Sequence, residues 1–576
     1  MENIPEDLVP LDFLRNHQGR NMETRTLKAD ILIIGGGSAG CLAANRALEI
    51  NPNLKVVIFE KGDIKYSGSI ARGMDALNIV AIPNFTTPEL YVESNTLACD
   101  GILDALPSYE MAKRSFPLLK KLEGWGVYFP QDAKGNYHTL QYHPIGNFLA
   151  AMEEPDLKVI ISQKAAEKGS FVVNRTMGLR LLMDDGRAAG AVGINVRTGE
   201  LVTCQAGAVI LASGGTARFG LPNSGYLYGT FDYPGNTGDG FVMGVEAGAS
   251  LTGMEYVRRV NLIKDVNIPL LAITITRGGR MMDIFDEIVM EWSCHDQSKA
   301  NQAVAAGKGP LRIRISHLPK EVIEEIEGIL FSTERPVQER FFKGRNIDFR
   351  KDDIELWPTE HQLCGGHGMC GLVVNERAET GVPGLYAAGD VSCVAKGHLT
   401  GAFVFGEIAA EEAVRFVTSQ PPPRVDAGQA AAVRKVLEKR SGGGDKRVDV
   451  RDIEYKIRRL INDYVVSPKN SFKLNRWLDW AERFTREIDE EVAVGNGHEL
   501  SKLFEVEHIL KCATYSAKAS LERKESRWGN AHLRTDFPKK DNENWLCHVD
   551  LRCGKDGEIT ASKRPLIRNL SSGGAL

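Results

Sequence analysis

Gly35, Gly37 and Gly40 fall in the run Ala29-Asp-Ile-Leu-Ile-Ile-Gly-Gly-Gly-Ser-Ala-Gly-Cys-Leu-Ala-Ala-Asn45, where an apolar stretch passes through glycines into an Ala/Leu-rich one. That spacing suits a phosphate cradle. Gly35 allows a tight turn, Gly37 lets the main chain approach a pyrophosphate, and Gly40 lets a helix pack on a strand. Ser38 and Ala39 open the helix, whose free amides favour an anion. Val56-Val-Ile-Phe-Glu60 ends a second apolar strand in an acid, where a ribose hydroxyl would be held. With strand, helix and acid in register, a dinucleotide is the expected ligand. A purely structural glycine turn is the alternative.

These elements sit in a chain of 576 residues, long enough for several domains. Apolar residues make up 43% and charged residues 25%, an ordinary globular balance. The formal net charge of −4 carries no nucleic-acid footprint. No apolar run approaches the ~20 residues of a membrane helix. The start, Met1-Glu-Asn-Ile-Pro-Glu-Asp7, is acidic and has no apolar leader core, so the expected location is the cytoplasm. None of the ten cysteines forms a Cys-x-x-Cys pair, so neither an iron–sulfur cluster nor a metal site is expected in this chain. A cluster that trades electrons with it would belong to a partner.

The expected architecture is α/β: a Rossmann-like nucleotide-binding domain with an inserted α+β capping domain and a C-terminal helical domain. An arm covers residues 1–26. The nucleotide domain takes 27–250 and 365–424, with strand–glycine junctions at Ala208-Val-Ile-Leu-Ala-Ser-Gly-Gly215 and Gly384-Leu-Tyr-Ala-Ala-Gly-Asp390. The capping domain spans 251–364, with short strands at Ala272–Thr276 and Leu311–Ile315 and an acidic helix from Pro319 to Leu330. Pro421-Pro-Pro423 and Ser441-Gly-Gly-Gly444 bracket a linker zone. Apolar residues at helical spacing (Ile453, Ile457, Leu460, Ile461) mark the helical domain, 445–535. The extension, 536–576, holds a strand near Glu558 and a Gly/Ser tail expected to be mobile.

The three strand–glycine junctions resemble the nucleotide contacts of two-dinucleotide-binding-domain flavoproteins, which favours FAD over NAD. In combination with Ser67-Gly-Ser69, Ala71-Arg-Gly73, Asn236-Thr-Gly-Asp-Gly240, Met254-Glu255, Gly365-Gly366 and Glu525-Ser-Arg527, they resemble one superfamily over about residues 28–550. Its members are the flavoprotein subunits of fumarate reductase, succinate dehydrogenase, L-aspartate oxidase and adenylylsulfate reductase. The resemblance implies FAD contacts from Gly35, Gly37, Ser38, Ala39, Gly40, Glu60 and Lys61. It adds Ser67, Gly68, Arg72, Gly73 and Asn78, then Ala212, Ser213, Gly214, Asn236 and Asp239. Gly389, Asp390, Ala402 and Phe403 complete the set. Many fumarate reductases carry a flavin-linking His where this chain has Gly68, so the FAD is expected to be noncovalent. Adenylylsulfate reductase is similar at this spot, and Asn78 fits its pattern.

The substrate side is mixed. Thr359-Glu-His361 looks like the segment that gives fumarate reductases a carboxylate-binding His, whereas His398 looks like the active-site His of the adenylylsulfate branch. Arg258 and Arg259 resemble that branch's sulfate-binding Arg; adjacent in a strand, only one would face the site. Arg277 matches loosely the proton-donating Arg of dicarboxylate enzymes. For His361, His398 and His367 a packed loop histidine is the alternative, and Glu525-Ser-Arg527 reads as glue between domains. Arginine pairs oxygens two at a time and histidine trades protons near neutral pH, so this set implies a small anionic substrate. The expected protein is an FAD oxidoreductase subunit of the adenylylsulfate reductase branch with a ferredoxin-like iron–sulfur beta subunit. A C=C reductase or dehydrogenase of a carboxylate, a non-catalytic electron relay and an L-aspartate-type oxidase are the alternatives.

Overall fold

The computed structural model describes residues 24–222, 232–266, 270–292, 298–334, 337–441 and 448–570. The strand Thr24–Ile34 runs parallel between Val56–Phe59 and Leu201–Leu211. Its inner half, Ile31 to Ile34, is buried on both faces, which is why it reads as a continuous apolar run. Phe171–Val173 extends the sheet on one side and Leu385–Ala387 on the other, both parallel. An antiparallel meander, Thr176–Asp184, Arg187–Asn195 and Leu201–Leu211, completes it. Two helices, Ser38–Ile50 and His398–Ser419, pack closely on each other because Gly406 has no side chain: a Cβ there would lie 2.4 Å from the Ala39 carbonyl. Residues 1–23 of the expected arm lie outside the described residues. Thr24–Thr26 are not arm; they begin the first strand and pair with Leu201–Thr203.

Residues 261–358 build a five-stranded antiparallel sheet in the order Asn261–Ile263, Ile354–Pro358, Leu311–Arg314, Arg280–Met282, Ile288–Glu291, with its own apolar core. The segment expected as a strand at 272–276 is instead the helix Leu271–Ile275. Its alternating β-branched residues suggest a strand, yet Leu271, Ile273 and Ile275 are all buried, and the Leu270 carbonyl accepts from both Thr274 N and Thr274 Oγ1. Tertiary burial overrides the local preference.

Three helices, Val450–Tyr464, Ser471–Glu491 and Gly497–Glu522, are each started by a side-chain cap, from Asp449, Asn470 and Asn496. The bracketed linker zone contains a helix, Ala427–Ser441, that buries Val433 and Leu437; residues 442–447 lie outside the described residues. The extension is structured too. His548–Cys553 and Ile559–Arg564 form a hairpin whose first strand pairs with Leu251–Thr252, so it joins the sheet at the domain junction. The Gly/Ser tail, 571–576, lies outside the described residues. Among the described residues no helix is long and apolar enough to cross a membrane.

Candidate active site

The glycine turn forms one end of a cavity of about 230 Å³. At Gly35, with φ +107°, a Cβ would lie 2.4 Å from the Ala212 carbonyl, and at Gly40 one would lie 1.9 Å from the Gly35 carbonyl. Both glycines are demanded by close approach. At Gly37 a Cβ would meet nothing within 4 Å, because that atom opens onto the cavity. Glu60, at the end of Val56–Phe59, accepts from Gly36 N at 2.8 Å and Gly62 N at 2.6 Å. The two amides fix the carboxylate, whose remaining lone pairs suit ribose hydroxyls.

Most of the expected cofactor residues border this cavity: Gly35, Gly37, Ser38, Ala39, Glu60, Lys61, Gly68, Gly73 and Asn78 from the first segments, then Ala212, Ser213, Gly214, Asn236 and Asp239, then Gly389, Asp390 and Ala402. Gly40, Ser67 and Phe403 do not; Gly40 and Phe403 pack in the core, and Ser67 is buried beside it. The Arg72 side chain lies outside the described residues. Lys61 and Asp239 are engaged with each other at 2.9 Å. Lys61 also meets Glu505 at 2.8 Å, and Asp239 accepts from His508, so the pair ties this cavity to the helix Gly497–Glu522. Lys61 is thereby a joint and not a free phosphate ligand. Two polar atoms at the cavity wall, Asn78 Oδ1 and Ser213 Oγ, are buried without a protein partner. Burial and the neighbouring Asp232 push Asp390 up to about 7. Orphaned polar atoms, an open Gly37 and a pinned acid fit FAD.

A smaller chamber adjoins the cavity, sharing Tyr142, Arg258, His367 and His398 with it. Its walls also include His143, Arg259, His361, Lys396 and Trp528, and among the described residues it contains no carboxylate. His398 opens the helix His398–Ser419, its N–H donating to the Gly366 carbonyl at 2.9 Å. Its ring meets His367 edge-on at 4.7 Å and lies 6.1 Å from His143. Burial holds His367 and His398 well below the usual histidine range, and burial with nearby Arg259 pushes His361 down to about 3. His361, His367 and His398 are therefore neutral at pH 7, and Arg258, Arg259 and Lys396 supply positive charge. Burial lowers the Arg259 guanidinium below its usual range, and among the described residues no carboxylate compensates it. Arg258 Nη1 is buried without a hydrogen-bond partner. Three non-glycine residues here, Lys396, His398 and Trp528, have left-handed φ of 51°, 51° and 53°. Such strain concentrates at functional sites.

Both arginines border the chamber, against the expectation that only one would. Arg258 makes an isolated two-residue bridge with Gln362, and no regular strand imposes alternation there. Arg277 is not at either cavity. Its Nε donates to Glu325 at 2.8 Å and its Nη1 to the Ile273 carbonyl at 3.0 Å. Sequence reasoning missed Tyr142, His143, Lys396 and Trp528. Only the adjacency of an aromatic and an imidazole at 142–143 hinted at the first two; Lys396 stands two residues before His398 with no role assigned.

Residues 30–260 match the FAD binding domain family, and residues 474–571 match the fumarate reductase flavoprotein C-terminal family. The chain is 29% identical to an uncharacterized FAD-dependent oxidoreductase of Methanocaldococcus jannaschii, over 91% of this chain and 96% of that one. It is 26% identical to the fumarate reductase flavoprotein subunit of Mycobacterium tuberculosis, over 94% and 97% of the two chains. Its fold superposes on adenylylsulfate reductase from Archaeoglobus fulgidus with a TM-score of 0.87, at 24% identity, covering 96% of this chain and 98% of that one. With both family domains in place around the cavity just described, this chain belongs to the FAD-dependent oxidoreductases of the fumarate reductase/succinate dehydrogenase flavoprotein family.

Proposed function

We propose that the chain is the flavoprotein subunit of a cytoplasmic two-electron oxidoreductase acting on a small oxyanion, with an adenylylsulfate-type substrate as the leading reading and an iron–sulfur protein as electron partner. One observation carries the anion: a chamber opening onto the flavin cavity holds Arg258, Arg259 and Lys396 and no described carboxylate. FAD, when bound, supplies the redox chemistry. The two arginines bind and orient the anion; their forks suit paired oxygens. Neutral His361 and His398 are hydrogen-bond partners that gain basicity when the anion offsets the neighbouring positive charge, so either can hold a proton released or needed in the reaction. Gly68 offers no atom for a covalent link, which supports noncovalent FAD.

A carboxylate substrate reduced at a C=C bond is the second reading, since His361 stands with both arginines. It loses ground because Arg277, the proton donor it requires, is engaged with Glu325 outside the chamber. An electron relay has no use for an open anion chamber. The test is anaerobic: the bound FAD is photoreduced and mixed separately with adenylylsulfate and with fumarate while flavin absorbance is followed. Rapid reoxidation by adenylylsulfate is expected. Reoxidation by fumarate alone selects the second reading, and silence from both discards the proposal.

A further inference from the structure

Asn301 lies on the capping-domain helix Ser298–Ala305 and is 6% exposed. Both ends of its carboxamide are engaged by the stretch Arg259–Asn261. Nδ2 donates to the Arg259 carbonyl at 3.2 Å, while Oδ1 accepts from Arg259 Nε at 3.3 Å and from Asn261 Nδ2 at 3.4 Å. Arg259 borders the anion chamber and Asn261 borders the flavin cavity. The same helix sends Ser298 to the chamber wall, where it seats against Gly529: a Cβ on that glycine would lie 2.1 Å from Ser298 Cβ.

The choice of an amide has a physical consequence. A guanidinium held at Nε keeps its two terminal NH₂ groups for a ligand's oxygens. A carboxylate at position 301 would hold Nε equally well, but its charge would answer the charge on Arg259 and compete with any anion. The neutral amide orients Arg259 and leaves its charge uncompensated, in keeping with a guanidinium that burial lowers.

We infer that Asn301 is a positioning residue for substrate recognition: it aims Arg259 into the chamber without neutralising it and ties that arginine to Asn261 at the flavin cavity. This rests on the reading that the chamber takes an oxyanion. The test titrates sulfite into the FAD-loaded protein and follows the absorbance of the bound flavin for wild type, N301A, N301D and R259Q, with FAD content and melting temperature recorded for each. N301A is expected to bind sulfite about tenfold more weakly, the worth of a charge-assisted hydrogen bond. N301D, nearly identical in shape but unable to donate to the Arg259 carbonyl, is expected to lose about another tenfold or more in sulfite affinity while retaining FAD and melting no lower than N301A. A merely structural role predicts the reverse order, since Asp keeps the contacts to Arg259 Nε and Asn261 Nδ2 that Ala removes. Sulfite affinity within twofold of wild type in both Asn301 variants, with affinity lost in R259Q, overturns the role of Asn301. Wild-type affinity in R259Q overturns the anion chamber itself, and the inference falls with it.

Discussion

Arg258 and Gln362 exchange two main-chain hydrogen bonds, Arg258 N to Gln362 O at 3.0 Å and Gln362 N to Arg258 O at 2.7 Å. The bridge prolongs the pairing of Asn261–Ile263 with Ile354–Pro358, between segments about a hundred residues apart in sequence, and sets His361 on the same chamber as Arg258 and Arg259.

Gly37→Val should fold and fail to hold FAD. A Cβ there meets no protein atom, so the native packing survives, but the branched side chain projects into the cavity. The ratio of flavin to protein absorbance after purification checks this: near zero is expected, and a wild-type ratio contradicts the cradle.

Acid precipitation of the purified protein should release all flavin to the supernatant. Gly68 lines the cavity with no side chain and φ +84°. Yellow colour retained in the washed pellet counts against a noncovalent cofactor.

His361→Gln should flatten the acid side of the stability curve. In the folded protein His361 titrates at about 3, against ~6.5 unfolded. Between those values the unfolded chain binds the extra proton, so His361 destabilises the fold progressively as pH falls from about 6.5 toward 3, by about 1.4 kcal/mol per pH unit. Unfolding free energies from denaturant titrations at pH 7, 6 and 5 should show wild type losing about 2 kcal/mol relative to the variant across that range. Parallel curves would mean that the imidazole is not buried neutral.

Arg277→Gln should leave turnover within about twofold of wild type, since Arg277 reaches Glu325 and the Ile273 carbonyl and neither cavity. The Arg277 side chain is nearly buried although Glu325 is well exposed, so the stability cost should be about 1–3 kcal/mol, the worth of hydrogen bonds to a charged group. A loss of about 10² or more in kcat would instead give Arg277 the proton-donor role of the C=C reading.

Arg523→Met should cost about 3–5 kcal/mol, the usual penalty for breaking a buried ion pair. Arg523 is fully buried and meets Glu255 at 2.7 Å, Glu525 at 2.8 Å and the Trp545 and Cys547 carbonyls. Chemical denaturation measures the loss. A cost below about 1 kcal/mol would remove this cluster from the forces that hold the C-terminal segment on the site.

The glycine turn was legible because each residue type answers a local demand: Gly35 and Gly40 are required by contacts within the strand–turn–helix unit or directly beside it. The helix Leu271–Ile275 was not, since its alternation of branched residues reflects burial on several sides, supplied by the cavity and the capping core. His143 was illegible for a different reason. Its Nε2 lies 2.8 Å from the Asn78 carbonyl, a partner 65 residues away that only the tertiary fold brings near. The Glu525–Arg527 reading as glue agrees with the geometry: Glu525 bridges Arg523 and Arg527, and Arg527 reaches the Asp100 carbonyl.

Trp528, Asn530 and Ala531 close a chamber whose earliest wall residue is Ala98. During synthesis, the strand–turn–helix cradle and its acid are complete within the first sixty residues, whereas the chamber gains its last wall only after more than nine-tenths of the chain has been made. A shortened chain ending before Trp528 therefore lacks that side of the chamber beside the flavin cavity, whatever else of the fold it retains. The order of residues along the chain delays the shelter until the machinery it encloses is in place.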